Sequence, residues 1–194
     1  GTLREDLQVQ RHRQHVRIRD RQPGRRIEAA HGGIALRGSC AEAHTADGHV
    51  DLRRCLDARD GRLLWSRNVT KEFDGQGTDF GYSASPTVEA GKVILPVGGA
   101  GASVVALDAR DGSTAWASGD HPASYCSALP ITFRGRSLLV GFLQNDLAVL
   151  DLTTGRWLWQ QRVSVGYDEH AAMPLYEEPY LLLAYPFRAG ADLY

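Results

Sequence analysis

Short apolar runs separated by turn residues recur along the second part of the chain. Each run has the length of a β-strand and is rich in residues that favour strands. The runs cover residues 93–97, 137–142 and 180–187, and each follows a turn residue, namely Gly91, Gly135 and Pro179. The prolines that open these units, Pro86, Pro130 and Pro174, are 44 residues apart. The simplest division of this pattern is four short strands per repeat.

A second motif interleaves with the first and reads Leu-Asp, three residues, Gly, three residues, Trp. The Asp can accept hydrogen bonds from N–H groups of a turn, and the Gly supplies the left-handed backbone that closes a hairpin. The Trp then lies on the last strand, where its ring covers the neighbouring sheet and its indole N–H reaches a backbone carbonyl. We therefore interpret the three copies as latches between sheets: Asp57, Gly61 and Trp65; Asp108, Gly112 and Trp116; Asp151, Gly155 and Trp159.

A period of roughly 40–50 residues with four strands favours radially packed sheets. Short links between strands make neighbouring strands antiparallel. The predicted fold is all-β, a partial β-propeller of about three four-stranded antiparallel blades in an incomplete ring. Because complete propellers have about 4 to 8 blades, the chain is expected to be a fragment of a larger protein or to close by association.

Composition divides the chain into two parts. Residues 1–64 contain no Phe, Tyr or Trp, and residues 1–50 hold five of the seven histidines. We predict a non-propeller arm rich in Arg and His over residues 1–50, and propeller repeats over 51–194 with blade boundaries near 70–82, 120–125 and 164–169. A disordered arm, a divergent extension and a shifted reading frame all fit the arm, and the last is the interpretation that we favour. No aromatic residue interleaves with its arginines, so nucleic acid is not an expected partner.

The Leu-Asp-x3-Gly-x3-Trp motif, with Ser-Pro opening a unit, resembles the tryptophan-docking repeat of pyrroloquinoline-quinone (PQQ) type propellers over residues 53–194. That family includes quinoprotein alcohol dehydrogenases, the bacterial outer-membrane assembly lipoprotein propeller and secreted bacterial proteins without a demonstrated cofactor. The family usually has Thr before the turn Gly, as at Thr154, whereas Asp60 and Asp111 occupy this position in the other copies. The resemblance implies a periplasmic or extracellular location.

The links between blades contain the candidate site residues. In a propeller, the link from one blade's outer strand to the next blade's inner strand crosses the face over the central channel. The residues expected there are Tyr82, Tyr125, Tyr167, Asp168 and His170, with Cys126 and Glu169 beside them. They either line a funnel with one titratable imidazole or serve blade-top packing, which their repetition favours. A catalytic Cys126–His170 pair requires hydrogen-bond reach, which spacing does not ensure, so no catalytic residue is assigned.

Two functions follow from the resemblance. The first is a non-catalytic propeller that binds or scaffolds a protein, peptide or glycan. The alternative is part of a PQQ-dependent alcohol or sugar dehydrogenase, with PQQ and calcium as cofactors. The family's cofactor platform often has an adjacent Cys-Cys pair and a metal set of Glu, Asn and Asp. Neither can be matched to positions in this sequence. The three cysteines, Cys40, Cys55 and Cys126, include no adjacent pair, and no metal site is predicted.

No transmembrane segment is expected, because no apolar run approaches the length that a spanning helix needs. The glycine-rich stretch 98–103 precedes a predicted strand rather than a helix. We therefore interpret it as a connection between strands and not as a nucleotide-binding loop.

Overall fold

The structure is a computed structural model that describes residues 38–43, 52–57, 60–166 and 168–194. These residues are almost entirely β and form four antiparallel sheets, numbered here in chain order. Sheet 1 contains β1 (Gly38–Ala43), β2 (Leu52–Asp57) and β3 (Leu63–Asn68). Sheet 2 contains β4 (Thr87–Glu89), β5 (Lys92–Gly99), β6 (Ala102–Asp108) and β7 (Thr114–Ser118).

The remaining sheets repeat this plan. Sheet 3 contains β8 (Leu129–Phe133), β9 (Arg136–Phe142), β10 (Asp146–Asp151) and β11 (Trp157–Arg162). Sheet 4 contains β12 (Leu175–Glu177), β13 (Tyr180–Ala184) and β14 (Ala191–Leu193). Strands are hydrogen-bonded in sequence order within every sheet. The described sheets do not close a ring, and the predicted fold of a partial propeller with four-stranded antiparallel blades is confirmed.

Two details differ from the sequence pattern. The strand predicted at 180–187 ends at Ala184, since Pro186 has no N–H to offer a sheet. Sheet 1 begins at Gly38, inside the segment predicted as an arm. Its first strand, β1, pairs with β2 along its whole length. The separate character of the rest of residues 1–50 lies outside the described residues and stays a prediction.

A single four-residue helix, α1 (Val69–Glu72), lies among the described residues and follows β3 directly. The Asn68 side chain caps it by accepting a hydrogen bond from the Lys71 N–H. In the part of the chain that the structure describes, no helix is long and apolar enough to cross a membrane.

Three hydrophobic clusters lie between consecutive sheets, so sheets 2 and 3 each pack one face on the sheet before and the other face on the sheet after. The first cluster joins Cys55 and Trp65 of sheet 1 to Leu95 and Leu107 of sheet 2. The second joins sheets 2 and 3 around Trp116, and the third joins sheets 3 and 4. This arrangement buries alternate residues of a strand on opposite faces, as the pleat requires.

Candidate functional site

Each latch motif folds into the same turn. The N–H of Gly112 donates to the carbonyl of Asp108 at 2.9 Å, and Gly155 donates to Asp151 in the same way. Gly61, Gly112 and Gly155 have φ angles of 73°, 74° and 72°, in the left-handed region that favours glycine. The Asp108 carboxylate accepts from the Arg110 backbone and side chain. Those bonds lower the pKa of Asp108 to about 2.

The residue before each turn glycine also bonds to the turn. Asp60 Oδ1 accepts from the N–H of Arg62 at 3.0 Å, and Asp111 Oδ1 accepts from Ser113 at 2.9 Å. In the third copy Thr154 Oγ1 accepts the corresponding N–H at 3.3 Å. The two Asp departures from the family pattern therefore supply the same acceptor as Thr.

The tryptophans of the first two motifs dock on the turn of the following sheet. Trp65 Nε1 donates to the carbonyl of Ala109 at 3.1 Å, and Trp116 Nε1 donates to that of Leu152 at 3.3 Å. The rings lie against the glycines: a Cβ on Gly112 would be 2.8 Å from Trp65, and one on Gly155 would be 2.5 Å from Trp116. Only glycine leaves room for the ring.

The turn of the first motif receives no tryptophan ring from the described residues, and the tryptophan of the last motif contacts a different group. No described residue lies within 4 Å of a Cβ built on Gly61. Trp159 instead meets Tyr194 edge to face, with ring centroids 6.3 Å apart, in the cluster between sheets 3 and 4.

The links between sheets share one end of the stack, because antiparallel strands place them opposite the latch turns. They span residues 69–86, 119–128 and 163–174. The Tyr82 hydroxyl donates to the carbonyl of Val97 at 2.7 Å, and the Tyr125 hydroxyl accepts from the Phe80 N–H at 3.1 Å. Both hydroxyls therefore bind backbone, and Tyr125 connects two successive links.

The third link holds the remaining candidates. Tyr167 lies outside the described residues. Asp168 accepts hydrogen bonds from the Val165 N–H at 2.7 Å and the Ser164 hydroxyl at 2.6 Å, so it stabilises its own loop. Its neighbour Glu169 is partly buried.

His170 is completely buried. Its ring stacks on Phe142 at 4.1 Å and meets Tyr185 edge to face at 5.8 Å, while its Nε2 lies 3.8 Å from Asp168 Oδ1. Neither ring nitrogen has a hydrogen-bond partner among the described residues. Burial lowers the pKa of His170, because the apolar surroundings penalise the imidazolium more than the nearby Asp168 carboxylate stabilises it.

Cys126 does not pair with His170. Its thiol lies 3.1 Å from the carbonyl of Ala172, to which it donates, and its backbone N–H donates to Ser124 Oγ. Burial raises the pKa of Cys126 to about 12. A neutral thiol that donates to a backbone carbonyl and makes no hydrogen bond to an imidazole is not an activated nucleophile.

One polar contact between a link and a strand was not predicted from the sequence. His121 Nδ1 lies 2.9 Å from Asp146 Oδ2, and the imidazole stacks on Trp157 at 5.0 Å. His121 belongs to the second link, whereas Asp146 begins β10. The contact has no counterpart in the repeated motifs, so spacing gave no signal for it.

The glycine-rich stretch is the turn between β5 and β6, which confirms its interpretation as a strand connection. The N–H of Gly101 donates to Asp120 Oδ1 at 2.6 Å. The stretch is thereby tied to the second link and is followed by a strand.

The described residues do not fit the PQQ and calcium platform. Across residues 38–43, 52–57, 60–166 and 168–194, no group of three or more His, Cys, Asp or Glu side chains could hold a metal ion. The cysteines also include no adjacent pair.

Antiparallel sheets latched by a tryptophan into the Asp-Gly turn of the next sheet define a PQQ-type β-propeller repeat protein. A family model agrees with this class and matches residues 13–172. The chain belongs to that family, which is described as "Outer membrane protein assembly factor BamB". Both this match and β1 reach into the segment 1–50. No curated protein matches the chain.

Similar solved structures include BamB from Moraxella catarrhalis, with 20% identity, a TM-score of 0.49, and coverage of 75% of this chain and 46% of the other. A quinohemoprotein alcohol dehydrogenase from Pseudomonas putida HK5 has 17% identity and a TM-score of 0.45, with 81% and 29% coverage. One from Comamonas testosteroni has 19% identity and a TM-score of 0.39, with 66% and 22% coverage. The chain thus spans less than half the length of these proteins.

Proposed function

We propose that this chain is a non-catalytic propeller module that binds or scaffolds protein partners outside the cytoplasm, as part of a larger bacterial PQQ-like repeat protein. Membership of a family described by outer membrane protein assembly supports a protein partner. The periplasm or the cell exterior is the location that we infer.

The observation that carries the proposal is how the link residues use their polar groups. The Tyr82 hydroxyl and the Cys126 thiol donate to backbone carbonyls, and the Tyr125 hydroxyl accepts from a backbone N–H. Catalysis needs a nucleophile or base within reach of a substrate. Side chains that hold loops together provide rigidity instead, which lowers the entropic cost of binding a partner.

Phe80 gives this end of the stack an apolar anchor. Its side chain is 81% exposed, and it lies in a turn closed by the Gly81 N–H and the Thr78 carbonyl at 2.9 Å. The Phe80 N–H is fixed by the hydroxyl of Tyr125. An exposed aromatic ring on a fixed turn is typical of residues that dominate protein–protein interfaces.

Two measurements test the proposal. Titration of the chain with PQQ and calcium, followed by dye-linked alcohol oxidation, is expected to give neither tight binding nor turnover, and turnover would overturn the proposal. Photo-crosslinking from position 80 in the periplasm of a host bacterium is expected to capture outer membrane proteins. The same crosslinker at Val88, which is 41% exposed in sheet 2, is the matched control. Equal capture from both positions would remove the support from Phe80.

A further inference from the structure

Phe80 lies on a loop whose shape is fixed by its own contacts. Residues 74–82 of the first link fold around Tyr82, whose hydroxyl donates to a carbonyl of β5 at 2.7 Å. Two glycines lie against this side chain: a Cβ on Gly75 would be 2.6 Å from the Tyr82 hydroxyl, and one on Gly77 would be 3.5 Å from the ring. A loop held in this way presents Phe80 in one position, which lowers the entropic cost of binding.

The neighbours of this loop leave the Phe80 ring uncovered. Sheets 1 and 2, which flank the first link, and the second link that follows it are present among the described residues, and Phe80 is still 81% exposed. The second link contacts the loop through Tyr125, whose hydroxyl accepts from the Phe80 N–H. The ring belongs to none of the three hydrophobic clusters. It is therefore available as an apolar contact for a partner.

The three links are also acidic. They contain six carboxylates, one lysine and no arginine, although arginine accounts for all but two of the 22 basic residues of the chain. The carboxylates are those of Glu72, Asp74, Asp79, Asp120, Asp168 and Glu169. The turns at the latch end, by contrast, contain Arg62, Arg110, Arg134 and Arg156. A molecule that approaches the links therefore meets a negative potential.

Two of these carboxylates belong to the loop of Phe80. Asp79 directly precedes Phe80, and Asp74 begins the loop. Both are exposed, and neither makes a hydrogen bond or an ion pair with another described residue. Glu72, just before the loop, is instead paired with Arg67. A cation that reaches Phe80 would thus meet two carboxylates without a competing partner.

This combination of groups favours a basic side chain next to an apolar one. A guanidinium can lie over an aromatic ring, within about 6 Å of its centroid, and pair with a carboxylate at the same time. An apolar residue beside it would cover the rest of the Phe80 ring. Phosphate groups would be repelled by the same carboxylates.

We propose that the loop 74–82 is the docking surface for a basic segment of the protein partner. An arginine or lysine of that segment lies between Phe80 and the carboxylates of Asp74 and Asp79, and an apolar residue beside it covers the ring. The inference rests on the proposed function, whose anchor is Phe80, and adds the chemistry of the partner. The acidic links steer the segment toward the loop, so binding weakens as the salt concentration rises.

Fluorescence anisotropy on the 194-residue chain tests this chemistry with two short labelled peptides, one alternating arginine with leucine and the other glutamate with leucine. The wild-type chain is expected to bind the arginine peptide at least about tenfold more tightly. Asp74→Asn combined with Asp79→Lys should weaken that binding about tenfold, and Phe80→Ala should do the same. Asparagine is chosen for position 74 because Asp74 has a φ angle of 49°, which asparagine tolerates.

Val88 and Glu89 of β4 provide the matched control, since they are an exposed apolar residue beside an exposed carboxylate. Val88→Ala and Glu89→Lys should leave the dissociation constant of the arginine peptide unchanged. Far-ultraviolet circular dichroism checks the fold of each variant, and the comparison of the two peptides on the wild-type chain needs no variant. Equal affinity for the two peptides, or equal losses in the loop and control variants, would overturn the proposal.

Crosslinking in the periplasm distinguishes this inference from the proposed function. With the photo-crosslinker at position 80, Asp74→Asn combined with Asp79→Lys is expected to lower the capture of outer membrane proteins about tenfold, whereas Glu89→Lys is not. Unchanged capture in the loop variant would overturn the basic segment and leave the proposed function intact. Capture from position 80 no greater than that from position 88 would remove Phe80 as the anchor, and this inference with it.

Discussion

Alanine substitution of the turn glycines distinguishes two contributions to stability: the docking of the tryptophan ring and the backbone conformation of the turn. Gly155→Ala and Gly61→Ala change the same position of the same turn, with φ angles of 72° and 73°. Both add a Cβ in the left-handed region, at a common cost of about 1–2 kcal/mol. Only at Gly155 does the new Cβ meet a ring, 2.5 Å from Trp116.

The additional cost at Gly155 follows from that distance. Carbon atoms in contact are separated by about 3.5–4.0 Å, so the indole must move by at least about 1 Å. Forcing one extra carbon into a packed core costs about 1–3 kcal/mol. The displacement also breaks the 3.3 Å hydrogen bond from Trp116 to Leu152, at about 0.5–1.5 kcal/mol. Gly155→Ala should therefore lower the free energy of unfolding by about 2–4 kcal/mol more than Gly61→Ala.

Urea unfolding followed by far-ultraviolet circular dichroism measures these differences. Gly112→Ala should behave like Gly155→Ala, because its Cβ would be 2.8 Å from Trp65. Gly135→Ala is a second control, with φ of 73° and no described residue within 4 Å of the added carbon. Equal losses for all four variants would refute the idea that the rings hold the sheets together and would leave only backbone strain.

Three further predictions concern single side chains. Stability should fall as pH drops below about 6.5, the ordinary pKa of histidine, because burial lowers the pKa of His170 and the unfolded chain therefore binds the proton first. Thermal melts of His170→Gln between pH 5 and 7 should lack this pH dependence, and an unchanged pH dependence would show that another group causes it. Burial raises the pKa of Cys126 to about 12, so its thiol should resist iodoacetamide at pH 8 until urea is added, as measured by peptide mass mapping. Rapid alkylation of the native protein would contradict the buried, hydrogen-bonded thiol. Asp111→Thr should melt at the temperature of the wild type, because Thr154 accepts the corresponding hydrogen bond in the third copy. Asp111→Ala should lower the free energy of unfolding by about 1 kcal/mol. Equal melting temperatures for the two variants would show that this side-chain hydrogen bond does not contribute to stability.

The latch turns were predictable because their information is local. Asp, Gly and Trp at fixed spacing specify a turn whose donors, acceptors and φ angles lie within nine residues, and three copies make the pattern unambiguous. Pro96 shows the limit of such rules. It remains within β5, where the pairing with β6 shifts register between Pro96 and Gly99; this irregularity accommodates the missing N–H.

The link residues were less predictable, because their surroundings come from distant segments. Sequence position placed His170 at the end of the stack but did not reveal that it packs against Phe142 and Tyr185 and is fully buried. The contact of His121 with Asp146 joins a link to a strand 25 residues away, and neither residue belongs to a repeated motif. Burial and pairing of this kind depend on how sheets stack, which spacing within one repeat does not specify.

The two ends of the stack are therefore under different constraints. The latch end repeats one turn with nearly identical φ angles, and a change there disrupts packing between sheets. The link end varies in length and contacts: Tyr82 bonds to β5, Tyr125 bonds to the preceding link, and His170 packs against Phe142 and Tyr185. A scaffold fixed at one end tolerates new side chains at the other, which is how one fold carries unrelated functions. Substitutions at exposed link residues such as Phe80 are consequently the ones expected to alter partner binding without unfolding the protein.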